Sequence, residues 1–245
     1  MKFLSIVSML IIGTIFFAAC SKSEQKIEPK RVAILSTAGL DIVDSLGVSD
    51  RVVGIPKESV DYLEKFYSDE KILKLDSEDS SSIIKCQPDL IILDVGNSNL
   101  ESIKKIAPVI SIQTRNINLK IVESNARAVA EIFGREKIVE DLISKYRQRI
   151  DESKRPDRVF ISREIFTPML ADFGFESVKL DENPDYIFIV DRSDSLQFDF
   201  NLIKNSRAAQ MNRVIYIDHS STWIQATGGL HAFDVMLQDI ERNLY

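Results

Sequence analysis

The sequence predicts an α/β protein of two lobes, each a small, mainly parallel sheet flanked by helices, joined by one long connector helix, with the second lobe shortened. Three observations carry this. From Arg31 onward, short runs rich in β-branched and apolar residues alternate with helical patterns, as βαβ units do. Residues 119–154 follow a helical pattern. The β-rich runs then recur in outline, the mark of an internal repeat.

Residues 1–19 read as a signal peptide. Lys2 supplies the positive start, and the uncharged apolar run from Phe3 to Phe17 is shorter than the about 20 residues that a membrane span needs. Phe17-Ala18-Ala19-Cys20 places small residues directly before a cysteine. This segment resembles the lipobox of bacterial lipoproteins, with Phe17 where that pattern usually has Leu. The resemblance implies that Cys20 is acylated and becomes the first residue of a lipid-anchored chain at the cell envelope, on its periplasmic or extracellular face. Residues 20–29 are polar, aperiodic and end at Pro29, so they form a flexible tether spanning about 15–20 Å.

The N-terminal lobe covers residues 30–118. Its strands are expected at Arg31 to Leu35, Val52 to Ile55, Leu90 to Leu93 and Val109 to Ile112. The clearest helix carries Leu40, Val43 and Leu46 on one face and is closed by Gly47. In the connector, residues 119–154, Val122, Ala126, Val129 and Phe133, then Ile138, Leu142, Tyr146 and Ile150, recur at helical spacing, with Gly134 as a bend. Such a helix would reach about 50 Å.

The C-terminal lobe, residues 155–245, repeats the first in outline. RVAIL at 31–35 is echoed by RVFIS at 158–162, PDLIILD at 88–94 by PDYIFIVD at 184–191, and PVISI at 108–112 by RVIYI at 213–217. The first strand and the PD strand begin 57 residues apart in lobe one and only 26 apart in lobe two. Lobe two therefore lacks room for one strand-helix unit and is expected to hold three or four strands.

Composition excludes several functions. A net charge of −6 without a Lys/Arg cluster argues against nucleic acid as a partner. Two cysteines, one of them Cys20, leave no disulfide framework, and Cys86 reads as a small buried apolar residue. No nucleophile elbow, HExxH, phosphate loop or CxxC is present, so no catalysis and no cofactor are expected. With only His219 and His231, a bare-metal site lacks its usual ligands.

Taken together, GLDIVDSLGV, DRVVGIPKESVDYLEKF, QPDLIILD, ESIKKIAPVISI, EIFGREKIVEDLISKY, ENPDYIFIVDR and NRVIYIDHSSTWIQATGGLHAFDVMLQDI resemble, in order, the iron-siderophore-binding lipoproteins of ABC importers. The enterobactin- and petrobactin-type members are the most similar in pattern. The resemblance implies a monomer that captures a ferric siderophore between its lobes and delivers it to an ABC permease and ATPase complex. Two alternatives stay open: a carrier of another large chelate such as cobalamin or haem, and a surface lipoprotein that keeps the fold without a transport role.

In open parallel sheets, ligands bind beyond the carboxyl ends of the strands. Loops there carry Lys57, Arg115, Arg163 and Arg192, cations suited to a bulky anionic chelate. Arg163 and Arg192 also match arginines around the iron complex in the resembling family. Trp223 falls where that family has a ligand-contacting aromatic residue. Members that bind tetradentate siderophores complete the iron shell with a His and a Tyr; Leu170 and Trp223 stand in those places, which favours a siderophore that saturates its own metal.

Overall fold

The computed structural model describes residues 28–57, 60–76, 79–190, 198–217 and 219–244. Cys20 and Arg192, with the signal peptide and most of the tether, lie outside the described residues. Among those described, no helix is long and apolar enough to cross a membrane.

Lobe one is a five-stranded parallel sheet: β1 (Val32–Ile34), β2 (Val52–Pro56), β3 (Leu73–Leu75), β4 (Leu90–Asp94) and β5 (Val109–Ile112), in the order β3-β2-β1-β4-β5. Four helices accompany it: α1 (Thr37–Ser45), α2 (Glu64–Tyr67), α3 (Ser80–Lys85) and α4 (Leu100–Ile103). β1 and the first four residues of β4 are buried, which is why both read as unbroken apolar runs rather than alternations. α1 starts on Ser36, whose hydroxyl accepts from the Gly39 N–H. It stops as its sequence foretells: Gly47 takes φ +68°, its N–H bonds to the Asp44 carbonyl, and the Val48 N–H reaches the Val43 carbonyl.

The connector departs from expectation. Instead of one helix of about 50 Å there are two, α5 (Leu119–Phe133) and α6 (Glu136–Glu152), of about 22 and 25 Å. They run antiparallel, since Arg127 approaches Glu140 at 3.8 Å and Arg147 bonds Glu123 at 3.3 Å. Gly134 is the reversal, not a bend. Its φ of +60° ends α5, and the Arg135 N–H closes the turn on the Ala130 carbonyl.

Lobe two holds β6 (Arg158–Ile161), α7 (Thr167–Asp172), β7 (Glu176–Ser177), β8 (Tyr186–Ile189), α8 (Arg207–Gln210) and β9 (Val214–Tyr216). Its parallel sheet has the order β7-β6-β8-β9. Superimposed on the order of lobe one, β7, β6, β8 and β9 answer to β2, β1, β4 and β5, and the outer strand is the missing one. The repeat extends to hydrogen bonds. The Arg31 N–H donates to the Asp89 carboxylate at 2.9 Å while the Asp89 N–H donates to the Arg31 carbonyl at 2.9 Å. Arg158 and Asp185 make the same exchange at 3.1 and 2.7 Å. A PD dipeptide thus locks the start of the central strand pair in each lobe.

After β9 come α9 (Ser220–Gln225) and α10 (Leu230–Leu244). α10 does not stay with lobe two: it packs along α1 and α6. One hydrophobic cluster consequently runs from β1 and α1 through α5, α6 and α10 to β6 and β8.

Candidate functional site

The carboxyl ends of both sheets are built from residues that tie neighbouring strands together. In lobe one, Ser36, after β1, donates to the Asp94 carboxylate at the end of β4. Burial pushes the Asp94 carboxyl above the usual carboxylate range, and the Ser36 hydrogen bond pulls the other way. Lys57, after β2, forms a 2.6 Å ion pair with Asp76, after β3, and keeps 61% of its side chain exposed. In lobe two, the Ser162 hydroxyl, after β6, accepts from the Val190 N–H at 2.9 Å and donates to the Val190 carbonyl at 3.2 Å. Arg163 Nε donates to the same carbonyl at 3.1 Å. That bond holds the guanidinium at the carboxyl edge of β6 and β8, and its terminal nitrogens have no partner among the described residues. Arg115, between β5 and α5, is exposed and has no partner among the described residues.

Asn125, a buried residue of α5, stitches this end of lobe one to the α9–α10 turn. Its side chain accepts from the Gln113 N–H at 3.0 Å and donates to the carbonyls of Gln113 at 2.8 Å and Gly228 at 3.1 Å. A side chain at Gly228, where φ is +98°, would meet the Gln113 oxygen at 2.6 Å, so the close approach requires glycine. One turn further on, Asp41 of α1 is fully buried and caps α10, accepting from the N–H groups of His231 at 2.9 Å and Ala232 at 2.8 Å and from the Tyr62 hydroxyl. Burial pushes the Asp41 carboxyl upward against these three donors.

A cavity of about 710 Å³ is lined almost wholly by lobe two, through Phe160, Ile161, Ile165, Lys179 and Leu180 among others, with Asn116, from the segment between β5 and α5, at its edge. It lies at the carboxyl ends of β6 and β7, on the side where lobe two lacks its outer strand. The volume is within the range of small-molecule sites.

Trp223 is corrected. It lies in α9, not in a loop, and is 0% exposed. Its ring packs edge-on against Phe166 at 5.1 Å, and its Nε1–H donates to Asp239 at 2.9 Å. An indole satisfied on every side has nothing to offer a ligand, so Trp223 is a core residue. Leu170 is equally buried. Lys57, Arg115 and Arg163 sit in the loops where the sequence places them, and Arg192 lies outside the described residues.

Sequence reasoning missed the pair formed by His219 and Asp239. His219 Nδ1 lies 2.9 Å from Asp239, which is 1% exposed, while the His219 side chain is 49% exposed. Among the described residues, no three His, Cys, Asp or Glu side chains gather as a metal site needs.

A family model described as "Periplasmic binding protein" matches residues 32–156. The petrobactin-binding protein YclQ of Bacillus subtilis (strain 168) is 26% identical over 263 residues, covering 88% of this chain and 83% of that protein. Its crystal structure matches with a TM-score of 0.71 at 25% identity, over 89% of this chain and 92% of that one. The siderophore-binding protein BauB, solved with a complex of two acinetobactin molecules and ferric iron, gives a TM-score of 0.75 at 20% identity, over 89% and 93% of the two chains.

Proposed function

Because this chain belongs to the periplasmic binding protein family, we propose that it captures a ferric siderophore in the gap between its lobes and delivers it to the permease and ATPase of an ABC importer. The relatives are substrate-binding proteins, not enzymes, and the reading includes no turnover. The observation that carries it is the pair of parallel sheets, with Arg115 following the last strand of one lobe and Arg163 following the first strand of the other, where the Val190 carbonyl holds its Nε. Guanidinium groups there suit an anionic chelate, each charged hydrogen bond contributing about 1.5–3 kcal/mol. Petrobactin binding by YclQ and siderophore binding by BauB support the same class of cargo. In this reading the protein acts as a monomer held to the membrane by lipid on Cys20.

The test is a titration of the purified protein with ferric catecholate, hydroxamate and hydroxycarboxylate complexes, with cobalamin and haem alongside, followed by calorimetry and thermal midpoint. Saturable binding of at least one ferric siderophore is expected, weakened in Arg163→Ala. Binding of cobalamin or haem alone would reassign the cargo. No binding to any member of the panel would leave an anchored protein that has kept the fold without the transport role.

A further inference from the structure

His219 follows the last residues of β9 and so occupies the carboxyl-end position from which these sheets address a ligand. It stands at the start of α9 but makes no capping hydrogen bond, so its ring is not used by that helix. Among the described residues, the charged group in contact with the ring is Asp239, on α10. This carboxylate is fully assigned: one oxygen takes Nδ1 of His219 at 2.9 Å, the other takes the Nε1–H of buried Trp223 at 2.9 Å. Because an ionised carboxylate only accepts, His219 must keep its Nδ1–H. The outward nitrogen, Nε2, then has two states. On the neutral ring it carries a lone pair, and on the protonated ring it carries a hydrogen. A half-exposed ring held in one orientation by a buried anion is an arrangement that presents Nε2 to whatever fills the space beyond β9.

We propose that His219 is a proton-gated ligand contact: when its ring is protonated, Nε2 donates a hydrogen bond to an anionic oxygen of the bound metal chelate, with Asp239 as the positioning residue. The inference rests on the proposed function and adds a residue and a condition to it. The neutral ring offers a lone pair to an anion and gains nothing. Acidification therefore tightens capture.

The experiment measures the dissociation constant of whichever ferric siderophore the wild-type protein binds, from about pH 5.5 to 8. Wild type is expected to bind tenfold or more tightly at the acid end, in keeping with a hydrogen bond to a charged group. His219→Leu loses that gain and keeps the weak, flat profile. Asp239→Asn separates a gate from a mere support. Its amide oxygen can still accept from Trp223, and its amide nitrogen must donate to Nδ1, which forces the hydrogen onto Nε2. This variant is expected to bind tightly across the whole range, with the emission of Trp223 unchanged. His219→Leu binding within twofold of wild type at every pH, with an unchanged thermal midpoint, overturns the inference while leaving the proposed function standing. A wild-type protein that binds no ferric siderophore overturns both.

Discussion

Replacing Asp41 with alanine tests how firmly α10 is fastened to lobe one. The carboxylate accepts from two backbone N–H groups at the start of α10 and from Tyr62, in a place with no solvent. Alanine leaves these donors without a partner. The Ala232 N–H is deeply buried, and each buried orphan costs about 1–3 kcal/mol. The loss of a helix cap alone costs about 1 kcal/mol. Allowing Tyr62 and the more exposed His231 to find water, the sum is about 2–4 kcal/mol. For a protein of this size that lowers the thermal midpoint by roughly 4–16 °C. Asparagine keeps one oxygen for the backbone donors and should lose only about 1–2 kcal/mol. The control is Asp44→Asn, which removes an exposed pair with Lys65 and is expected to cost under about 1 kcal/mol. Circular dichroism melts of the four proteins read the series directly. If Asp41→Ala melts within about 3 °C of wild type, the cap does not fasten α10 and the reasoning is refuted.

Two glycines should part company. Gly228→Ala drives a new carbon to 2.6 Å from the Gln113 oxygen at φ +98° and should cost at least about 2 kcal/mol, whereas Gly134→Ala meets nothing within 4 Å and should cost only the left-handed conformation, about 1–2 kcal/mol. Denaturant midpoints rank them, and equal losses would mean that the Asn125 seam yields freely. Asp94, whose folded-state carboxyl lies above its ordinary value of 3.8, favours the native state fully below that value and loses this contribution as pH rises through the raised one. Asp94→Asn should thus gain stability over wild type at pH 7, with the gap closing toward pH 4; a gap that widens on acidification would reverse the assignment. Trp223 should be shielded from acrylamide until the protein unfolds, and quenching of the native emission comparable to that of free tryptophan would contradict its burial.

The strands that the sequence announces are those with apolar runs: β1, β4 and β8 are buried through almost their whole length. β3 and β7 escape because they are edge strands of three and two residues, with Leu73 41% exposed and Glu176 and Ser177 both exposed. The shortfall of lobe two was legible as a spacing, since a strand-helix unit needs chain. The reversal at Gly134 was not, because periodicity records which face is apolar and nothing about the direction in which the next helix leaves. The site was half legible. Loop position places Lys57, Arg115 and Arg163, but the bond from Arg163 to Val190, or from Lys57 to Asp76, depends on strand neighbours far apart in sequence. Asp41 shows the limit most clearly. Between Leu40 and Ile42 it looks like one polar residue on a helix, and only the fold brings it the N–H groups of His231 and Ala232.

Since one hydrophobic cluster joins the sheets through α1, α6 and α10, while each lobe keeps a smaller one on its far face, neither half ends at a boundary of its own on the shared side. Grafting the second sheet of a relative onto the first would set a foreign α10 on α1 and break the seal at Asp41 before any change in cargo was felt. Cargo preference in such an architecture is therefore expected to drift through exchanges at the strand-end loops, and a chimera cut at the loops should fold where one cut between the sheets does not.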